Sequence, residues 1–372
     1  MRIGIIGSGI FGAMTAVGLA DRGHECWLID RNDRALAGVS SIANRVHMGF
    51  HYPRHAPTAL QCLESYDRFR HEFADAILPG IQNAYFIASE GSLTSPEAFT
   101  AFCDRLALPY RRLDAASFRP AMKGVDAGIM TPEVMFGPEL LKRAVEARLG
   151  NRNIHTLFRT EVSAIERNAV GDLTLRTTRG DHDFDAVVNC GYAGGNEVRT
   201  GFPVSRPVRQ YERVAVAIVE VEGLPPASLT ILDGAFPCLL PLDGRGRHLL
   251  YHVDHSVIER HTGVAPPESW QAGSFAAAPP RDPGPWMRMM VETSLAFMPF
   301  LAGCRIVDLW RGIRVVLPHA EDSDERPTII SAVAPGYVTV LSGKVVHSVN
   351  IGAEVERQLE LSLSEAADWA SS

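Results

Sequence analysis

The hydrophobic pattern of the first thirty residues describes a compact unit. A short apolar run over 2–6 reads as a buried strand, 10–22 reads as a helix with Gly23 placed to cap its C-terminus, and 25–29 reads as a second, parallel strand ending on Asp30. Residues 31–57 carry breakers at Gly38, Gly49, Pro53 and Pro57 and read as loop. The spacing over 58–74 predicts an amphipathic core helix with Leu60, Leu63, Phe69 and Phe73 on or near one face. Another helix is predicted over 138–149, opened by Gly137-Pro138-Glu139 and closed by Gly150. Strands follow at 154–158, 161–167, 173–178 and 186–189, with Arg179-Gly180-Asp181 as a turn between the last two.

From about 206 the texture changes to short strands at 214–221, 229–232, 238–242 and 248–254, which predicts an antiparallel sheet in a second lobe. The stretch 263–285 is rich in proline, glycine and alanine and reads as a surface loop, and 286–300 as an apolar helix. Strands at 328–332 and 338–341 lead through Ser342-Gly343-Lys344 into a helix from about 345 to 360. A chain that ends by making such a strand–glycine–helix corner is expected to return to its first domain.

Composition narrows the picture little. The 372 residues are 46% apolar with a net charge of −7, so a sizeable core can form, and neither nucleic acid nor an anionic membrane is an expected partner. Residues 3–20 are apolar enough to pass for a targeting segment, but five glycines and the charged stretch 21–25 before the next strand argue against stable membrane insertion. The six cysteines are scattered without a CxxC pair, which suits reduced thiols in the cytoplasm.

The first motif with chemistry in it is Gly7-Ser8-Gly9-Ile10-Phe11-Gly12, in the turn between the first strand and the first helix. Gly7 permits the tight turn, Gly9 lets a pyrophosphate approach the backbone, and Gly12 lets helix and strand pack closely. The helix N-terminus offers unpaired N–H groups to phosphate. Asp30, at the end of the second strand, is placed to accept from ribose hydroxyls. This spacing implies a dinucleotide without choosing between NAD and FAD.

Further stretches carry a resemblance: 44–53 (Asn44-Arg45-Val46-His47-Met48-Gly49-Phe50-His51-Tyr52-Pro53), Gly137-Pro138-Glu139-Leu140-Leu141 leading to Thr160-Glu161-Val162, Val187-Val188-Asn189-Cys190-Gly191, Trp310-Arg311-Gly312-Ile313-Arg314, Arg326-Pro327, Pro335-Gly336-Tyr337 and Ser342-Gly343-Lys344. With Gly7 to Asp30 they make the chain resemble, over nearly its full length, the D-amino-acid-oxidase-like FAD-dependent oxidoreductases, the superfamily of glycine oxidase, sarcosine oxidase and L-2-hydroxyglutarate dehydrogenase. The resemblance implies an α/β fold with a discontinuous Rossmann-like FAD-binding domain (1–80, 145–205 and 306–372) and a substrate domain with a mainly antiparallel sheet (81–144 and 206–305). It implies non-covalent FAD held by Gly7, Gly9, Ile10, Phe11, Gly12, Asp30, Arg31, Ser41, Asn44, Val162, Cys190, Gly191, Arg314, Gly343 and Lys344. The amides near Gly343 and the helix after it would face the pyrimidine edge of the flavin.

The expected reaction is oxidation of a C–N or C–O bond in a small amine, amino acid or 2-hydroxy acid, by hydride transfer to flavin N5. The ammonium of Lys344 and the following helix N-terminus would stabilise negative charge on the reduced ring. Arg314 is expected to grip a substrate carboxylate, with Arg311 its competitor and an ion pair to an acid such as Asp308 the structural alternative. His47 or His51 could act as base or orient substrate. His47, His51 and His55, four apart, invite a metal, but Gly49 and Pro53 break any shared helix face, and no metal is expected. Alternation over 249–255 places Tyr251, Val253 and His255 on one face and His252 and Asp254 on the other, leaving open which faces the flavin; Tyr211 is a further candidate from the same lobe. An NAD-dependent dehydrogenase and a non-catalytic flavoprotein-like subunit are the alternatives.

Overall fold

The computed structural model describes residues 1–41, 44–270, 284–320, 323 and 325–364. The opening strand Arg2–Ile6 lies inside a six-stranded sheet, pairing in parallel with Glu25–Ile29 on one side (Ile3 opposite Cys26) and with Ala186–Asn189 on the other (Ile3 opposite Ala186). A strand buried on both faces must be apolar throughout, which is why Ile3, Ile5 and Ile6 follow one another without alternation. The helix between the first two strands runs Ile10–Ala20. Beyond it Gly23, at φ +88°, turns the chain so that the His24 amide reaches Leu19 O at 3.2 Å. Ile154–Leu157 extends the sheet at one edge; at the other, Tyr337–Leu341 pairs in parallel with Ala186–Asn189 and carries Ile329–Ala334 as an antiparallel outer strand. The end of the chain thus completes the sheet that its beginning started.

Helices Ile10–Ala20, Ala56–Glu72, Pro138–Gly150 and Ile351–Ser364 cover one face of this sheet through a core that includes Ile5, Leu28, Phe69, Leu141, Val188 and Val355. On the other face lies a four-stranded sheet, packed through Ile29, Leu175, Phe184, Val187 and Tyr337. The second lobe is a larger, mainly antiparallel sheet whose longest pair is Arg209–Glu220 with Arg305–Val316. Among the described residues its one parallel pairing joins Ala227–Leu232 to Gln82–Ala88. One of its faces packs on helix Gly284–Ser294 through Ala217, Leu229, Leu250 and Met290; the other carries Val216, Leu240, Leu249, Tyr251 and Trp310. The fold is α/β, a mainly parallel core joined to a mainly antiparallel sheet. Among the described residues no helix is long and apolar enough to cross a membrane.

Local departures from the expected pattern have readable causes. In Ala56–Glu72 the buried face is Thr58, Ala59, Cys62, Ser65, Tyr66 and Phe69, whereas Leu60 is 41% exposed, because it precedes Phe69 by about two and a half turns and so stands on the opposite side of the helix. The helix starts two residues early, with His55 as its cap, whose Nδ1 accepts from the Thr58 amide at 3.2 Å. The loop 31–57 contains a short strand, Arg45–Val46, paired with Val134–Met135. The turn at 179–181 opens a fifth strand, Gly180–Phe184, where polar residues alternate with Phe184 on a half-exposed sheet. The strand expected to reach 254 stops at His252, after which Val253–Ser256 is helical. The helix over 286–300 ends at Ser294, where Pro299 opens a separate short turn. The C-terminal helix begins only at Ile351, behind a 3₁₀ turn Val345–Val349. Arg305–Val316, expected from 306 on to belong with the dinucleotide core, pairs in the large sheet. Most of the loop over 263–285 lies outside the described residues; Trp270, just before that part, is buried.

Candidate functional site

A cavity of about 1050 Å³ runs between the two sheets, from the glycine turn to the loop at Gly343-Lys344. At one end Gly7, at φ +93°, has no room for a side chain: a Cβ would meet Cys190 O at 2.8 Å. Gly12 does not line the cavity; a Cβ there would sit 1.7 Å from Gly7 O, so its absence lets the helix lie against the turn. At Gly9 a Cβ would meet only Ser40 Oγ, at 3.4 Å, and otherwise point into open space. Among the described residues no side chain caps the helix that starts at Ile10 and no acid stands in its first turn, while the Ile10 amide donates to Ser40 Oγ at 3.1 Å. A cradle of backbone N–H groups without a competing acid suits a pyrophosphate. Ile10 and Phe11 border the same stretch.

Asp30 stands beside this turn. Its Oδ2 accepts from the Ser8 amide at 2.5 Å and from Ser8 Oγ at 2.8 Å, and its Oδ1 from the amide and side chain of Asn32, both at 2.8 Å. These bonds fix the carboxylate at the cavity edge next to Arg31, Glu161 and Val162. Cys190 and Gly191 line the opposite wall, with the Gly191 amide donating to Asn189 Oδ1 at 3.0 Å. Burial pushes the Cys190 thiol up to about 12, which leaves it a neutral wall group. Ser41 closes the turn Val39–Ser41, and its side chain lies outside the described part. Asn44 is not a cavity residue: it is buried, and its Nδ2 donates to Phe136 O at 2.9 Å and Pro241 O at 2.7 Å, tying the loop to both lobes.

At the far end His47, His51, Tyr52, Gly343 and Lys344 meet. The His47 and His51 rings lie 5.3 Å apart, and neither Nδ1 has a partner among the described residues. Burial, with Lys344 and Arg45 adding positive charge, holds both well below the usual histidine range, so both are neutral near pH 7. The Lys344 Nζ sits 4.4 Å from the centre of the Tyr52 ring, and burial followed by the charge of Arg45 brings its pKa down to about 7. The five-residue turn after it, not a long helix, stands behind Gly343, so charge at this end comes from Lys344 itself. A Cβ at Gly343 would meet nothing within 4 Å. His55 caps a helix instead of joining the other two histidines, and no group of three metal-binding side chains occurs among the described residues.

The antiparallel sheet forms the roof. The Tyr251 face looks into the cavity, with Leu249 and Val253; His252 is buried behind it. Arg314 also lines the cavity, but its partner is Glu212, not Asp308: Nε reaches Glu212 Oε2 at 2.6 Å and Nη2 the same oxygen at 2.5 Å, while Nη1 donates to Tyr251 Oη at 2.8 Å. Burial alone would raise the Glu212 carboxyl; Arg314, Gln210 and Arg260 overcome it and hold Glu212 below the usual carboxylate range. Arg311 borders the cavity too, with no partner for its Nε among the described residues. Tyr211 points elsewhere, donating to Val264 O at 2.8 Å.

Several cavity residues were not singled out from the sequence. Ser40 supports the glycine turn. Arg45, fully buried, donates through Nη1 to Tyr85 Oη at 3.0 Å and through Nη2 to Ser228 and Thr230, with Glu133 3.8 Å from its Nε. Arg54 and Asp233 pair at 2.7 Å at the rim. Glu212 gave no local signal, since it stands among Arg209, Gln210 and Arg213 in its strand and its partner lies 102 residues away.

The open cradle at Gly9, the uncapped helix start, the carboxylate at Asp30 and a cavity long enough to reach Lys344 fit a flavin dinucleotide. The comparisons agree. A family model described as FAD dependent oxidoreductase matches residues 2–347. The FAD-dependent monooxygenase kojA of Aspergillus flavus is 26% identical over 286 residues, covering 70% of this chain; the chain spans only 64% of that relative's length. Among solved structures, glycine oxidase from Geobacillus kaustophilus superimposes with a TM-score of 0.74 at 16% identity, covering 97% of this chain and 94% of that one. L-alpha-glycerophosphate oxidase from Mycoplasma pneumoniae, with FAD bound, gives 0.73 at 14% identity, covering 96% and 94%. At these identities the structural likeness shows the fold.

Proposed function

Since the chain belongs to the FAD dependent oxidoreductase (DAO) family and is an FAD-dependent enzyme, we propose that it oxidises a C–N or C–O bond of a small amine, amino acid or 2-hydroxy acid. FAD, when bound, supplies a two-electron acceptor. We assign its pyrophosphate to the turn Gly7–Gly12, its ribose to Asp30 and its pyrimidine edge to Gly343 and Lys344, without a covalent link. The single observation that carries the reading is the continuity of the cavity: it joins the glycine turn to a chamber bounded by His47, His51, Lys344, Tyr251 and Arg314.

In that chamber Tyr251 and Arg314 orient the substrate's polar end against the roof. Oxidation turns C–N into C=N, or C–O into C=O; two electrons leave with the cofactor and the N–H or O–H proton must go to a base. His47 and His51, neutral and with no Nδ1 partner among the described residues, can accept a hydrogen bond from that N–H or O–H and orient it, and Lys344, brought down to about 7, can receive the proton. Lys344 presents its charge below about pH 7. The wall of Val214, Val216, Leu240, Leu249 and Trp310 excludes water around the reacting carbon. We assign cofactor binding to the sheet built from both chain ends, and substrate contact to the large antiparallel sheet.

The test is anaerobic mixing of the yellow holoenzyme with panels of amines, amino acids and 2-hydroxy acids. One class is expected to bleach the flavin absorbance, and heat denaturation to release all the flavin. Bleaching by no member of the three classes would overturn the reading. The name of the fungal relative favours a second one, oxygen insertion, which would place isotopically labelled oxygen in the product.

A further inference from the structure

We propose that Glu212 is a specificity-determining residue: it cancels the charge of Arg314, so that the substrate group meeting Tyr251 and Arg314 is uncharged — a hydroxyl, carbonyl or neutral nitrogen — and not a carboxylate. The proposal rests on the reading above and narrows it to amines and alcohols without a carboxylate at that position.

Strand register makes the arrangement. Glu212 stands directly opposite Arg314 in the antiparallel pair, so both project from the same face of the sheet, the face that Tyr251 shares. Glu212 lies behind, its side chain 3% exposed, while Arg314 lies in front, its side chain 35% exposed on the cavity side. Both Nε and Nη2 of Arg314 are committed to Glu212 Oε2, and Nη1 to the Tyr251 oxygen. Glu212 Oε1 is occupied as well, by Gln210 Nε2 at 3.0 Å and Arg260 Nε at 3.4 Å, so the carboxylate is fixed and ionised.

A purely structural ion pair would have no reason to keep its guanidinium open to a ligand chamber. An anion-binding arginine would have no reason to keep a buried carboxylate on the same two nitrogens, where an incoming carboxylate would meet both a compensated cation and a like charge. What the pair does present is a polarised phenol. The Tyr251 oxygen accepts from Arg314, and among the described residues no group accepts the Tyr251 hydroxyl proton, so that proton is available to a neutral acceptor in the cavity. Arg311, which also borders the cavity, stands opposite Ala215 and therefore projects from the other face of the strand, away from Tyr251. Arg260 is half exposed, where solvent and salt screen its charge.

The experiment titrates the holoenzyme with benzoate and with its uncharged counterpart benzamide, reading the perturbation of the visible flavin spectrum. Wild-type enzyme is expected to bind benzamide more tightly than benzoate. In Glu212→Gln, which frees the guanidinium charge, benzoate affinity should rise by about tenfold or more, one unmatched contact being enough for that factor. Tighter binding of benzoate than of benzamide by the wild type overturns the proposal, as does a Glu212→Gln enzyme that retains FAD and binds benzoate no better. If Glu212→Gln loses its FAD, the wild-type pair decides. Failure of the broader reading looks different: no amine, amino acid or hydroxy acid would bleach the flavin, whatever its charge.

Discussion

Lys344 shows how much one side chain's surroundings can change its chemistry. On the surface it would hold its proton to about pH 10.5; enclosed beside Tyr52 and facing the charge of Arg45, it releases it near pH 7. Below pH 7 both folded and unfolded chains carry the charge, and the folded one bears the full cost of burying it. Between 7 and 10.5 the unfolded chain binds a proton that the folded chain does not, so stability rises with pH across that window. The FAD-free protein should therefore melt at least about 2 °C higher at pH 9 than at pH 7. Lys344→Met should melt higher than wild type at pH 7 and lose most of the rise; an equal rise in the variant would count against this account. The glycines of the first turn were legible in the sequence because their reasons are local: Gly7 needs its positive φ, and Gly12 its missing Cβ, within one strand–helix corner. Glu212 was not legible as Arg314's partner, since nothing within ten residues of either points to the other.

At the level of elements, the first helix and Ile351–Ser364 cross at glycine on glycine. A Cβ on Gly18 would lie 2.8 Å from the Gly352 Cα, and one on Gly352 2.6 Å from the Gly18 Cα. Both obstacles are backbone, so no rotamer change relieves them. Gly18→Ala should force the helices apart and cost about 1–3 kcal/mol, seen as a lower melting temperature. It should also speed FAD loss, because the C-terminal helix anchors the loop that carries Lys344. Gly150→Ala, where a Cβ meets nothing within 4 Å, serves as the control and should stay within about 0.5 kcal/mol of wild type. Equal melting and equal FAD retention in the two variants would show that the crossing tolerates a methyl. Helices Ile10–Ala20 and Pro138–Gly150 were readable from spacing and glycine stops, whereas Pro96–Arg105 was not expected. Buried faces were less readable: Leu60 stands about half a turn round the helix from Phe69 and projects outward, so its place near the apolar stripe did not put it on the buried face.

Across the whole molecule, buried histidines are held neutral. His347 bridges Cys62 and Thr328 and is brought down to about 4 by burial and Lys344, while His47 and His51 lie well below their usual range. In acid the unfolded chain takes up protons from pH 6.5 downward while the folded chain refuses them, so the stability present above 6.5 is lost as pH falls toward 4. Glu133, whose pKa burial raises against the pull of Arg45, works in the opposite sense and offsets part of the loss. Urea midpoints should fall between pH 6.5 and 4.5, and His347→Gln, which has no proton to bind, should reduce the drop by about 1–3 kcal/mol. A His347→Gln protein with the wild-type acid slope would assign the loss elsewhere. The two-lobed α/β plan was readable because an apolar parallel core and an alternating antiparallel sheet leave different period marks on the chain. The parallel joint between Ala227–Leu232 and Gln82–Ala88 left none, since a single strand does not encode the direction of its neighbour.

The sequence by itself determined the glycine turn to which the cofactor's pyrophosphate is assigned above. A dinucleotide turn is written in contiguous residues whose steric demands are met inside one corner of the chain, and the strand–glycine–lysine corner near the end repeats that local logic. Only the tertiary structure decided what the chamber offers a substrate: that Tyr251 faces inward and His252 does not, that Asn44 is a strut, that Lys344 sits near neutrality, and that a carboxylate already holds Arg314. Those facts depend on strand register and burial between segments tens to hundreds of residues apart. Pairing energy is set by the partner that arrives across the sheet, and no neighbour along the chain announces it.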